Sequence, residues 1–165
     1  MKKLIIYLSI IIILFGGLYA LNVVANGSTD NPYGIREGKL SPPTRAQFDN
    51  PNYQNIILPD ELESSIKKGY DGFVFYFSPT CSHCVATVPV LVPLVEELGY
   101  DMPMFNLLEF DEGWSKYKIQ FTPTLVAYKD GKEVDRMEGA IEVNAGDGGW
   151  TKEQFTQFFT TYSSD

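Results

Sequence analysis

The 165-residue sequence predicts an α/β domain with a mixed sheet, carried behind one apolar N-terminal helix. Three observations predict it. Short aromatic and β-branched runs alternate with segments of helical period, the pattern of strands and helices that share one core. Two late strand candidates flank Asp130-Gly131, a strong hairpin signal, so part of the sheet is antiparallel. The chain also opens with an uncharged apolar run, Leu4 to Val24.

That run follows Lys2 and Lys3. As a helix it reaches about 31 Å at roughly 1.5 Å per residue, close to a hydrocarbon core of about 30 Å. Lysines before it, and none close after it, hold the N-terminus inside and export the rest. Residues 1–25 are therefore expected to be a single-pass anchor in the cell membrane, with the remainder extracytoplasmic. The alternative is a signal peptide cut after Ala25, where Val23-Val24-Ala25 offers small residues; against it, the run exceeds the usual signal core of about 7–15 residues. The run does not end in a cysteine, which excludes lipoprotein processing there. Both readings put residues 26–165 where disulfides persist.

Setting Lys2 and Lys3 aside leaves 11 basic residues against 21 acidic ones, so nucleic acid is excluded as a partner for want of a basic stripe. Residues 26–52 are rich in Asn, Gly, Pro and Ser, and read as a spacer.

The domain is expected over residues 53–165. Tyr53–Leu58 is a short strand candidate. Pro59-Asp60-Glu61 opens a helix that Gly69 closes. Phe73–Phe77 has the composition of a buried central strand. Cys81 to Leu98 reads as a helix with Val85, Val88, Leu91, Val92, Val95 and Leu98 at helical spacing and Gly99 as its stop. Met102–Phe110 is a second apolar strand, and Glu112–Lys118 a short polar helix. Thr124–Tyr128 and Glu133–Glu138 form the hairpin. After the Gly-rich loop Asn144–Gly149, Thr151 and Gln154 make a capping box for a last helix, whose apolar face is Phe155, Phe158, Phe159 and Tyr162.

The chain has two cysteines, Cys81 and Cys84. They are too few for a disulfide scaffold, so the pair is local chemistry. A cysteine at a helix N-terminus meets unsatisfied N–H groups and the positive end of the dipole, which favour thiolate. Cys81 holds that position, and Cys84 lies one turn on. Cys81 is thus the candidate for forming a mixed disulfide and Cys84 for resolving it. His83, the one histidine, can donate to the Cys81 thiolate and make the disulfide more oxidising. A zinc site would need four ligands, and no second Cys or His cluster exists, so no metal is expected. Glu109 and Asp111 end a strand and read as solvated or capping residues.

With Phe121-Thr122-Pro123-Thr124 and Lys129-Asp130-Gly131-Lys132 at these distances from the cysteine motif, residues 53–163 resemble thioredoxin. The resemblance implies the thioredoxin fold, a cis Pro123 facing the cysteines, a substrate chain pairing along Thr122, and no cofactor beyond the Cys81–Cys84 disulfide. It also matches Pro89 to the family's helix-kinking proline. Departures matter: the family's Trp before the first cysteine is Thr80, its Gly-Pro is Ser82-His83, and its buried carboxylate is Phe75. Histidine before the second cysteine is similar to DsbA-type oxidases, without their helical insertion. The plan looks most like small anchored thiol-disulfide oxidoreductases of Gram-positive bacteria, including bacteriocin-associated disulfide-forming proteins. The resemblance implies a monomer that exchanges disulfides with exported cysteine-containing proteins as oxidase or isomerase, recycled by a membrane redox partner. A reductase, for instance in cytochrome maturation, and a redox-inert binding or chaperone domain stay open.

Overall fold

In a computed structural model, residues 2–142, 146 and 148–163 are described. Helix α1 (Lys2–Asn26) is followed by a 3-10 turn at Glu37–Lys39, α2 (Pro42–Arg45) and a 3-10 turn at Pro51–Tyr53. The domain proper runs α3 (Pro59–Lys67), β1 (Gly72–Phe77), α4 (Ser82–Leu98), β2 (Met104–Asn106), α5 (Glu112–Lys116), β3 (Thr124–Lys129), β4 (Lys132–Glu138) and α6 (Lys152–Tyr162). Among the described residues the sheet order is β2-β1-β3-β4, with β2 parallel to β1 and the other pairs antiparallel. It is the mixed sheet the sequence predicts.

Strand β1 is buried on both faces, which explains its unbroken run of apolar residues. Its side chains alternate between two cores. Phe73, Phe75 and Phe77 pack with Val88, Leu91 and Val95 of α4 and Phe155 and Phe159 of α6. Val74 and Tyr76 pack with Leu62 of α3, Phe105 and Tyr128. The last of these is polar at its tip, and the buried Tyr76 and Tyr128 hydroxyls satisfy each other at 2.8 Å.

Local signals set the element ends. Gly99 terminates α4 with φ 77°, a left-handed cap that glycine adopts without a Cβ clash. Pro89 and Pro93 lie within α4 and remove two donors from its ladder. In the hairpin, Gly131 sits at φ 69°, and a Cβ there would lie 2.0 Å from the carbonyl oxygen of Ile66. Thr151 accepts from the Gln154 N–H and Gln154 Oε1 from the Thr151 N–H, closing the capping box of α6.

Three expectations need correction. Tyr53–Leu58 is no strand: Pro51–Tyr53 is a 3-10 turn capped by the Asn50 side chain, and only Ile56 bridges to Met104 before Pro59 opens α3. The strand expected over Met102–Phe110 is confined to Met104–Asn106, because Asn106 Oδ1 accepts from the Leu108 N–H and turns the chain. The helix expected to reach Lys118 stops at Lys116, and Lys118 leaves it at φ 52°. Of the Gly-rich loop Asn144–Gly149, residues Asn144, Ala145 and Asp147 lie outside the described residues.

Residues 26–52, read from composition as a spacer, do not hang free. Tyr33, Leu40 and Thr44 are buried. Asn106 Nδ2 donates to the Tyr33 hydroxyl (2.8 Å) and to Thr44 Oγ1 (3.1 Å), so a wholly buried amide is satisfied by the segment. The backbone N–H and hydroxyl of Ser41 both donate to Glu109. Tyr33 also packs between Phe48 and Phe110. The arm continues along the open side of β2, where Asn55 and Ile57 pair with Met104. The opposite edge, β4, is exposed and charged: Lys132, Glu133, Asp135, Arg136 and Glu138, with Arg136 bridging Glu133 and Glu138.

Candidate active site

The site sits where β1 meets α4. A turn at Ser78-Pro79-Thr80, with the two hydroxyls 2.9 Å apart, brings the Cys81 N–H to the Ser78 carbonyl. Cys81 is then the N-cap of α4 with extended backbone, and its carbonyl receives the Val85 N–H. Cys84 follows inside the first turn and is fully buried, whereas Cys81 is half-buried. Both are free thiols.

Opposite them lies the loop before β3. The Thr122–Pro123 peptide bond is cis. The Cys81 thiol donates to the Thr122 carbonyl at 3.2 Å. Thr124 Oγ1 fixes the Phe121 carbonyl at 2.8 Å, and the Gly139 N–H fixes that of Pro123 at 2.9 Å. Two separate elements thus hold the thiol and the backbone that faces it.

The two sulfurs are tuned in opposite directions. Burial pulls the Cys81 thiol up, but the Thr122 hydroxyl and the N–H groups of Cys84 and His83, with the Cys84 thiol, outweigh it and leave it below the ordinary cysteine value. Burial pushes Cys84 up to about 12, reinforced by the charge on Cys81 and opposed only in part by the Ser78 backbone. Cys81 is therefore the more readily ionised of the two sulfurs, and Cys84 holds its proton the more tightly.

His83 is exposed. Its backbone N–H favours the Cys81 thiolate, and the residue lines an open groove of about 700 Å³. Phe121, Thr122, Glu138 and Ile141 line the same groove, and Phe121 is 62 % exposed beside the cis bond. Phe75, expected where relatives carry a carboxylate, is 1 % exposed and stacks near Phe77, keeping the floor under the cysteines apolar. The sequence reading missed Tyr53. It is buried, its ring lies 5.6 Å from that of Phe77, and burial followed by the Cys84 charge pushes its hydroxyl up to about 12. An aromatic directly after Asn-Pro-Asn was its only signal. Glu109 holds the arm, and Trp150 Nε1 donates to the Glu138 carbonyl. Among the described residues, no group of three or more His, Cys, Asp or Glu could hold a metal ion.

Comparison with known proteins agrees with this geometry. The thioredoxin family model matches residues 55–145, more than half of the chain. The thioredoxin of Chlamydia muridarum is 32% identical over 89 residues, covering 51% of this chain and 82% of its own. The thioredoxin domain-containing protein 5 homolog of Drosophila melanogaster is 25% identical over 114 residues, or 66% of this chain; the match spans only 27% of that longer protein. Among solved structures, Fasciola hepatica thioredoxin superposes with a TM-score of 0.51 at 27% identity, over 63% of this chain and 93% of its own. Mitochondrial thioredoxin 3 of Saccharomyces cerevisiae does so at 0.53 and 18% identity, covering 67% and 98%, a likeness of fold. In this family redox chemistry is carried by cysteines of the protein itself, without an external cofactor. The chain belongs to the thioredoxin family of thiol-disulfide oxidoreductases.

Proposed function

We propose that the protein is an extracytoplasmic thiol-disulfide oxidoreductase, anchored by α1, in which Cys81 exchanges and Cys84 resolves, and that it works chiefly as an oxidase or isomerase of exported proteins. The opposed tuning of the two sulfurs carries this reading. In the oxidising direction a substrate thiolate attacks Cys81 Sγ of the Cys81–Cys84 disulfide, and Cys84 leaves and takes up a proton. A second substrate thiolate then attacks the mixed disulfide and expels Cys81 as its favoured thiolate. Two electrons pass to the enzyme, and a membrane redox partner removes them. Thr122 and Pro123 present the backbone beside which an extended substrate pairs.

The oxidising preference rests on the floor of the site. A reductase needs Cys84 to lose its proton and attack, and the apolar Phe75 offers no acceptor for it. Likeness to the Chlamydia muridarum thioredoxin favours the second reading, a reductase. Two measurements decide. Cys84→Ala should accumulate mixed disulfides with exported proteins in intact cells; failure to do so removes the exchange role of Cys81. Equilibration with glutathione should give a potential above about −200 mV, and a value near about −270 mV would establish the reductase instead.

A further inference from the structure

The arm forms an unbroken series of contacts from the end of the apolar helix to the cysteine-bearing end of the sheet. Gly27 leaves α1 at φ 65°, and a Cβ there would lie 2.8 Å from the Glu37 Cβ, so the exit is packed against the first 3-10 turn. The Glu37 N–H donates to the Ser28 carbonyl at 3.0 Å, short-circuiting the intervening loop. Leu40 is buried, and Ser41 donates twice to Glu109. Tyr33 and Thr44 engage Asn106, which is in register with Phe77, the last residue of β1. Cys81 lies four residues further on. The parallel pairing of β1 and β2 means that the arm grips the carboxyl ends of both strands, the end that bears the site.

The lengths are short. From Asn26 to Ser28 and from Glu37 to Ser41 the chain makes six residue steps, at most about 21 Å, to which the hydrogen-bonded crossings from Ser28 to Glu37 and from Ser41 to Glu109 add their own widths. Phe77 to Cys81 adds at most about 14 Å. An undocked chain from Gly27 to Asn50 could extend to about 80 Å and would leave the domain free to turn.

We infer that the arm is a stalk that holds the cysteine-bearing end of the domain close to the bilayer surface, so that its preferred partner is a thiol or disulfide presented there by a membrane-embedded protein. This rests on the reading of α1 as an uncleaved anchor. Short, fixed tethering raises the effective concentration of such a partner, whereas a freely diffusing substrate gains nothing from it.

The test uses the full chain in phosphatidylcholine vesicles carrying a rhodamine-labelled lipid. Cys81 of a Cys84→Ala variant is labelled with a maleimide fluorophore, and energy transfer to the lipid reports its height. A 20-residue Gly/Ser linker inserted between Gly27 and Ser28 leaves the arm docked but adds an r.m.s. reach of about 25 Å. Transfer should fall at least about twofold with the linker, and should also fall in Tyr33→Ala/Ser41→Ala, which loosens the arm. Exchange with soluble oxidised glutathione, measured with Cys84 restored, should stay within about twofold in both. Unchanged transfer after the insertion, in protein that floats with the vesicles, overturns the stalk while leaving the anchor intact. Failure to float overturns the anchor and the stalk together. Loss of glutathione exchange in the parent protein bears instead on the oxidoreductase reading.

Discussion

The opposed tuning of Cys81 and Cys84 predicts a large difference in their reactivity towards iodoacetamide in the reduced protein. At pH 7 a thiol held at about 12 is ionised to about one part in 10⁵, whereas one below 9.0 exceeds about one part in 10². A better-ionised thiolate is intrinsically the poorer nucleophile. With a Brønsted slope of about 0.4–0.5, this takes back roughly one and a half decades, leaving Cys81 at least about 30-fold faster. The complete burial of Cys84 adds to that ratio by denying access. Timed alkylation followed by peptide mass spectrometry reads both rates directly. The pH dependence has a fixed sign: Cys81 alkylation should rise with pH through a midpoint below 9.0 and then level off, while Cys84 continues to rise towards about 12. Rates within threefold of each other at pH 7 would refute the tuning, and with it the division of roles.

Thr122→Val should move the Cys81 midpoint upward, because the hydroxyl that favours the thiolate is lost; an unmoved midpoint assigns the tuning to the helix N–H groups and the Cys84 thiol. Asn106→Leu leaves the Tyr33 and Thr44 hydroxyls and the Leu108 N–H without their partner, and should cost about 3 kcal/mol at roughly 1 kcal/mol per bond in urea unfolding of the full chain. Gly131→Ala drives a methyl group into the Ile66 carbonyl at positive φ, and should lose at least about 2 kcal/mol by the same assay. Tyr76→Phe combined with Tyr128→Phe should cost less than the sum of the single changes, since each single variant strands the other buried hydroxyl.

What could be read from the sequence was what local chemistry writes. The Asp130-Gly131 hairpin, the Gly99 stop, the Thr151–Gln154 capping box and the doubly buried β1 each follow from a few adjacent residues, and each stands in the structure. The arm was hidden because its buried residues, Tyr33, Leu40 and Thr44, follow no helical or strand period and lie among Gly, Pro and Asn. Its partners are far along the chain at Asn106 and Glu109, and nothing local announces a hydrogen bond across that separation. The shortening of β2 has the same origin, since the Asn106 amide both turns the chain and receives the arm. At the candidate site, the N-cap place of Cys81 was legible from strand-turn-helix punctuation, whereas the neighbourhood of Tyr53 with Phe77 and Cys84 depends on tertiary packing.

The charged edge of β4 has its own consequence. On the proposed function, a protein that exchanges disulfides with other proteins offers them two kinds of backbone to join: the loop at Thr122, and whatever sheet edges it leaves open. Here one edge is already taken by Asn55 and Ile57, and the other presents Lys132, Glu133, Asp135 and Arg136. An incoming strand must displace a covalently attached segment on one side or strip water from a row of ions on the other. The backbone beside the cysteines is left as the easiest landing place, and the fold steers traffic by closing its other doors.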